Sequence, residues 1–537
     1  PKLPAGLVKL VEHCLEKHPA DRFQSARDLA FDLGAISSLS GPQPARDRSS
    51  AGTAWRRWLA AGAGLAVLAG LFVLGIALGR LTATHPVPYF SKLTFRQGST
   101  GSARFAADGE TIIYSATWEG GPLRLHLKRP DSAEALPLEL PGAWSFTVSR
   151  QGEVAMVVPT DAALGPLSTG MLVRAPLTGG SPREIVASAT VAEWTPDGSE
   201  LAVVRSEGSR SRLEFPLGQV LFETAGHITT PRFSPDGELI AFGNHAYPYD
   251  DRGSVTVVDR SGRARNLTRE WPSINGIAWS PAGDEVWFAA SEAGFARSVY
   301  AVTPAGHLRI LLRAPGDLVL DDVSPTGRVV VAREDFRFGM LAGVAGGAKE
   351  RDLTWFGGDF PVDVSSDGKV LLFYEASSAV GTEYAVCLRR TDGSPPVELG
   401  KGAAIALSPD GAWVLASLPS PEAPLLLLPT GPGTARQISL TGISHRNNGT
   451  FFPDGRSVLV EGYEAGHGAR LYRVDLDDNS TRPVTPDGAF RGGGATFKIS
   501  RDGEWVAIAS SGAKSGISLY PIAGGAPRRL NVPTDPA

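Results

Sequence analysis

The chain has 537 residues, of which 42 % are hydrophobic and 20 % charged, and a formal net charge of −4. That length is more than one ordinary domain needs, the apolar content excludes a disordered chain, and the small negative charge excludes a general electrostatic attraction to nucleic acid. Two cysteines, Cys14 and Cys387, allow neither a disulfide framework nor a cysteine metal site, while 63 glycines and 41 prolines suit many short strands and turns.

The chain begins at Pro1 and is expected to be a fragment or a processed product. Within residues 1–34, Leu7, Leu10, Val11, Cys14 and Leu15 make one apolar stripe at helical spacing. Pro19 ends that helix. Ser25 caps a second helix through Ala26, Leu29, Ala30 and Leu33, and Gly34 stops it. Two short helices bury too little surface to be a domain, so they read as the end of something larger. Residues 35–57, rich in Ser, Gly, Pro, Ala and Arg, read as a flexible juxtamembrane linker.

Residues 58–79 carry no charge. As a helix they reach roughly 33 Å, enough to cross a hydrocarbon core of about 30 Å. Arg46, Arg48, Arg56 and Arg57 precede the segment and Arg80 stands almost alone after it. The basic side faces the cytoplasm, which places the remainder outside a cell or inner membrane as a single-pass protein. Small residues at Gly62, Ala66 and Gly70, and at Gly75 and Gly79, offer a face on which two spanning helices pack as a homodimer. Residues 80–92, with Pro86 and Pro88, form a stalk.

Residues 93–537 repeat one phrase. Its clearest copy is Pro231-Arg232-Phe233-Ser234-Pro235-Asp236-Gly237, followed by the β-prone run Leu239-Ile240-Ala241-Phe242. Asp-Gly pairs recur at Asp108-Gly109, Asp197-Gly198, Asp367-Gly368, Asp410-Gly411, Asp454-Gly455 and Asp502-Gly503. Weaker copies end at Gly152, Gly283 and Gly327, so ten glycines follow one another at intervals of 39 to 48 residues. The Asp-Gly pair is expected to supply the positive-φ positions of a hairpin turn, and the aspartates are turn formers rather than paired catalytic carboxylates. Asp392-Gly393 and Asp487-Gly488 fall out of register and read as ordinary connections. Two further strands follow each turn, as in Ser254–Asp259 then Arg265–Thr268, and Arg470–Asp475 then Arg482–Thr485. Four antiparallel strands per unit, repeated radially, predict a mainly β protein: a β-propeller of about ten blades, as one large ring or two smaller ones.

Leu10-Val11-x-x-Cys14-Leu15-Glu16-Lys17-x-Pro19-Ala20-x-Arg22-Phe23-Gln24-Ser25-Ala26-x-x-Leu29 resembles the last helices of the C-terminal lobe of bacterial serine/threonine protein kinases of the eukaryotic-like type. The resemblance implies that Arg22 makes the buried ion pair of that lobe, with a glutamate that is not in this chain. The Gly-rich loop, the strand lysine, the catalytic aspartate and the metal-binding Asp-Phe-Gly are absent too. ATP and Mg are therefore implied only for a kinase core outside this chain, and no cofactor, metal or catalytic residue is assigned within it. The repeat phrase, with its later Arg-x-Leu-Thr strand, resembles the TolB-like propeller repeat, which implies protein or ligand binding on the ring.

Other chemistry is thin. The nine histidines are scattered, with no two at metal-ligand spacing. Asp475-x-Asp477-Asp478-Asn479 lacks the Gly and Glu of a calcium loop and reads as a solvated turn. Asp250-Asp251 and Asp321-Asp322 read as loop charges, and Cys387 as a buried strand residue. Trp118, Trp144, Trp271 and Trp355 fall near inter-strand loops, either lining a binding face or packing between blades. The layout predicts a membrane-anchored signalling protein whose extracytoplasmic propeller senses a protein or small-molecule ligand for a cytoplasmic kinase. One alternative is a non-signalling propeller scaffold with a degenerate kinase end. The other is an enzyme with its site in the central channel.

Overall fold

The computed structural model describes residues 89–530 apart from 160–167, 208–209, 248–249, 344–348, 421–422, 465–466, 490–495 and 511–515. The kinase-like helices with Arg22, the linker, the apolar segment with Gly62, Ala66, Gly70, Gly75 and Gly79, and most of the stalk lie outside the described residues. Among the described residues no helix is long and apolar enough to cross a membrane. Lys92–Ala537 form one compact unit, and it is mainly β.

The repeated phrase folds as one local device. All seven Asp-Gly glycines take positive φ, from 67° at Gly455 to 76° at Gly237, as do Gly152, Gly283 and Gly327. The aspartates do not, which corrects the expectation that both residues of the pair would. Ser234 to Gly237 close a turn through Gly237 N to Ser234 O at 2.8 Å. Pro235 presets its second position, and only the fourth needs a left-handed backbone. Asp236 Oδ1 instead accepts from Glu238 N at 3.1 Å and from Ser234 Oγ, while Ser234 Oγ accepts from Leu239 N at 3.0 Å. The same contacts recur at Ser408–Asp410 and Ser500–Asp502. Each turn joins the first and second strands of a unit.

The sheets follow that punctuation. Seven are four-stranded, each with its strands in sequence order. The second and third units share a seven-stranded sheet, because Arg183–Trp194 serves as last strand of one and first strand of the next. Neighbouring units pack face to face through apolar side chains. Val255 and Val257 of the fourth unit meet Ile274, Phe288 and Tyr300 of the fifth around fully buried Trp271. Leu415 and Leu427 of the eighth meet Val458, Val460 and Tyr472 of the ninth. Each such side chain contributes about 1.5–3 kcal/mol by leaving water, and only the next unit can supply the cover.

Closure comes after the sixth unit. Ala103 N in the first strand of unit one donates to Asp321 Oδ1 at 3.1 Å, and Phe105 N to Asp322 Oδ2 at 2.9 Å. Val330 of the sixth unit also packs among Phe105, Ile112 and Tyr114 of the first. Units one to six therefore make a six-bladed ring, which removes the single large ring from the two expected arrangements. The seventh to tenth units pack on one another in series.

The sixth unit is split. Its first pair, Asp317–Val323 and Val329–Glu334, forms a two-stranded sheet, and Leu341–Ala342 with Arg351–Asp352 forms another. The second pair has moved onto the seventh unit, where Met340 and Leu353 pack on Phe373, Ala385 and Cys387. Among the described residues, Val329–Glu334 has no third strand beside it.

Candidate functional site

Two polar constellations stand out, one inside the ring and one that runs along its rim onto the seventh unit. The inner one is built from a single repeat position. The penultimate residues of the six inner strands are Arg104, Thr147, Glu193, Arg232, Ala278 and Asp322. Arg232 is 5 % exposed, yet its guanidinium reaches four units. It donates to Glu193 Oε2 at 2.7 Å, to Ile277 O at 3.1 Å and to Asp321 O at 2.6 Å, and lies 4.0 Å from Asp322 Oδ1. Arg104 donates to Asp321 O at 2.9 Å, and Thr147 Oγ1 to Glu193 Oε2 at 3.2 Å.

Burial and the neighbouring Arg232 charge lower the Arg104 guanidinium to about 10. Burial pushes the Asp321 carboxyl up to about 7. Two cations thus face Glu193, Asp322 and a partly protonated Asp321, and most of the hydrogen-bonding capacity is spent inside the protein. This arrangement locks blades together. Asp321 and Asp322 are strand residues at the ring centre, which corrects their reading as loop charges. Apart from the adjacent Asp321 and Asp322, the members are scattered along the sequence, so the set is not visible as a cluster. The signal was available: the residue before the aromatic in Ala103-Arg104-Phe105, Glu193-Trp194 and Arg232-Phe233 is charged each time.

The rim is built from another repeat position, the pair formed by the first residue of the inner strand and the last residue of the second. In unit four that pair is His227 and His245, in unit five Ser273 and Ser291, in unit six Asp317 and Glu334, and in unit seven Asp359 and Glu375. The two histidines stack at 4.2 Å and 5°. Burial lowers the pKa of both, His245 to about 4, and His245 holds Thr229 Oγ1 at 2.8 Å and Arg252 O at 3.1 Å. Sequence spacing did not bring them together; strand pairing does.

Arg297, buried beside the fifth and sixth units, bonds both Asp317 oxygens and lies 2.8 Å from Glu334 Oε2 and 3.6 Å from Asp251 Oδ2. Burial pushes the Asp251 carboxyl up to about 6 and raises Glu334. Asp359 and Glu375 are each 1 % exposed, and neither makes an ion pair of this kind among the described residues. Asp359 Oδ2 accepts from Trp355 N at 2.7 Å and Glu375 Oε1 from Ser377 N at 2.7 Å. Asp359 Oδ1 and Glu375 Oε2 are buried without a hydrogen-bond partner among the described residues, and burial first, then the Asp359 carboxyl beside it, pushes Glu375 up to about 7.

An aromatic ladder runs from this rim to the surface. Phe336, Phe338, Phe360, Tyr374 and Tyr384 follow one another at centroid distances of 6.1, 4.6, 4.9 and 5.6 Å. The Tyr384 hydroxyl donates to Asp250 Oδ2 at 2.8 Å, and Arg252 donates to Thr382 O at 2.9 Å, so the fourth unit's loop is tied to the seventh unit. Asp250 and Asp251 do sit in a loop, but one that is partly buried and partnered. A narrow cleft lies there between Asp251, Arg252, Phe295, Thr382 and Tyr384. At the outer end of the ladder Phe336 is 60 % exposed, Phe356 54 % and Trp355 44 %.

Of the four tryptophans singled out, Trp355 alone is largely exposed. Trp271 is core, and Trp118 and Trp144 are half-buried. Cys387 is buried in a strand, as expected. Asp475 to Ser480 form a turn held by Asp477 N to Asp475 Oδ1 and Ser480 N to Asp478 Oδ1. Among the described residues no group of three or more His, Cys, Asp or Glu side chains is placed to hold a metal ion.

No protein-family model matches the sequence, and no curated protein sequence matches it. Solved structures do. A protein of Agrobacterium tumefaciens assigned as TolB is 15 % identical, over 50 % of this chain and 83 % of its own, with a TM-score of 0.27. The tricorn protease is 14 % identical over 82 % of this chain, with a TM-score of 0.31; this chain spans 41 % of the protease. At such scores the propeller fold stands on the sheets and their contacts.

Proposed function

We propose that this chain is the sensor half of a membrane-anchored serine/threonine kinase, with a TolB-like propeller outside the membrane that binds a protein or small-molecule ligand. The observation that carries the binding role is the exposed aromatic surface of Phe336, Trp355 and Phe356 beside the carboxylate rim. Exposed aromatic clusters of this kind are where binding energy concentrates. The uncharged stretch 58–79, its basic flank and the kinase-like residues around Arg22 support the anchor and the cytoplasmic side. ATP and Mg belong to the kinase core upstream. Homodimerisation through Gly62, Ala66, Gly70, Gly75 and Gly79 is the route by which ligand binding brings kinase domains together. No nucleic acid enters this scheme.

The test is autophosphorylation of the parent protein in membrane vesicles. A Phe336→Ser/Phe356→Ser variant is expected to change the rate several-fold while leaving folding intact. Equal rates in wild type, this variant and a propeller-deleted protein refute the reading and favour a scaffold that does not signal.

A further inference from the structure

The last strand of several units ends in the same clasp. In unit four, Leu267 N donates to Val255 O at 2.8 Å while Val255 N donates to Thr268 Oγ1 at 3.1 Å. Leu353-Thr354 repeats this on Met340, at 2.7 and 3.2 Å, and Val484-Thr485 on Leu471, at 2.8 and 2.9 Å. The aliphatic side chain enters the core, and the threonine hydroxyl satisfies an amide at the start of the preceding strand. In the fourth and sixth units the clasp falls six residues ahead of the next inner strand, at Ser273 and Asp359.

Leu93-Thr94 is the same pair, five residues ahead of the first inner strand at Gly98, with no unit before it among the described residues. Leu93 already packs in the cluster that joins Phe105 and Tyr114 of the first unit to Val330 of the sixth. Thr94 has no hydrogen-bond partner among the described residues. Phe90 and Phe95 around it are 62 % and 80 % exposed. On the other side of that cluster, Val329–Glu334 carries the free edge left when the sixth unit's second pair moved to the seventh.

We propose that Lys92–Phe95 is the closing strap of the ring: a last-strand motif that pairs with the free edge of Val329–Glu334 and completes the sixth blade. Direction follows from the register. Asp317, where an inner strand starts, stands opposite Glu334, so Val329–Glu334 ends at the end of the ring where inner strands begin. A segment leading into Gly98 reaches that end by running parallel to Val329–Glu334. The strap satisfies edge amides that would otherwise invite another chain. It goes beyond the signalling proposal and does not depend on it.

Hydrogen exchange on the full chain in detergent tests the strap. Proline at position 94 cannot donate to a neighbouring strand. In Thr94→Pro, amides of Val329–Glu334 are expected to exchange about tenfold faster than in wild type, with Leu239–His245 unchanged. Equal exchange in the two proteins overturns the strap. Wild-type protection that falls on dilution also overturns it, because the edge is then covered by a second copy. Should Thr94→Pro unfold the ring, a Thr94→Cys/Ala332→Cys pair in otherwise native protein decides: an oxidised cross-link is expected, and its absence overturns the proposal.

Discussion

The Asp359–Glu375 pair makes the seventh unit sensitive to pH. The two carboxyls face one another across the first strand pair, each 1 % exposed, and burial, then the neighbouring Asp359 carboxyl, takes Glu375 from 4.5 to about 7. A carboxyl raised in the folded state holds a proton that the opened state has already released. Between pH 4.5 and 7 the folded unit therefore binds more protons, and its stability falls as pH rises. Inside that window stability falls with each pH unit, so going from pH 5 to pH 8 removes on the order of 2 kcal/mol, some tens of fold in the opening equilibrium. In Glu375→Gln the amide still accepts from Ser377 N and donates to Asp359 without a titrating proton. The assay is hydrogen exchange of Asp359–Val364 and Val370–Glu375, taken as the ratio of wild type to Glu375→Gln at each pH, which cancels the intrinsic rate. The ratio is expected to rise steeply between pH 5 and 7 and flatten above 7. A ratio that stays level, or falls, refutes the raised Glu375 carboxyl.

Three further outcomes follow from the same geometry. Arg232→Met strips Glu193 and the Asp321 carbonyl of their cation and is expected to cost about 3–5 kcal/mol in denaturant unfolding, while Glu193→Gln in the same background recovers part of the loss. No recovery would mean that Arg232 acts by packing alone. Gly237→Ala, at φ 76° with its new Cβ 3.2 Å from Arg260, is expected to cost about 1 kcal/mol or more and to lower the melting temperature. The Cys387 thiol, pushed up to about 12 by burial, is expected to resist iodoacetamide at pH 8 in the native protein and to react once it is denatured, read by peptide mass.

Ser-x-Asp-Gly specifies its turn through bonds spanning five residues, from Ser234 to Leu239, so turns, strand pairs and the count of ten units were legible in the sequence. The short apolar, β-prone run that follows the turn, as in Leu239-Ile240-Ala241-Phe242, likewise announced a strand. Closure after six units was not legible, because it depends on Asp321 and Asp322 meeting Ala103 and Phe105 more than two hundred positions earlier. Nor could the repeat show that the sixth unit surrenders its second strand pair to the seventh, since Leu353-Thr354 clasps Met340 in the same way wherever the pair packs. The candidate sites share that character. His227 and His245, Asp359 and Glu375, and the charges around Arg232 are unremarkable along the chain and become buried partners only when strands align and blades face one another. The sequence by itself determined the repeating unit, through hydrogen bonds that each turn makes with itself. The tertiary structure alone decided how many units close and which charges meet, because those contacts join residues that the repeat places in different blades.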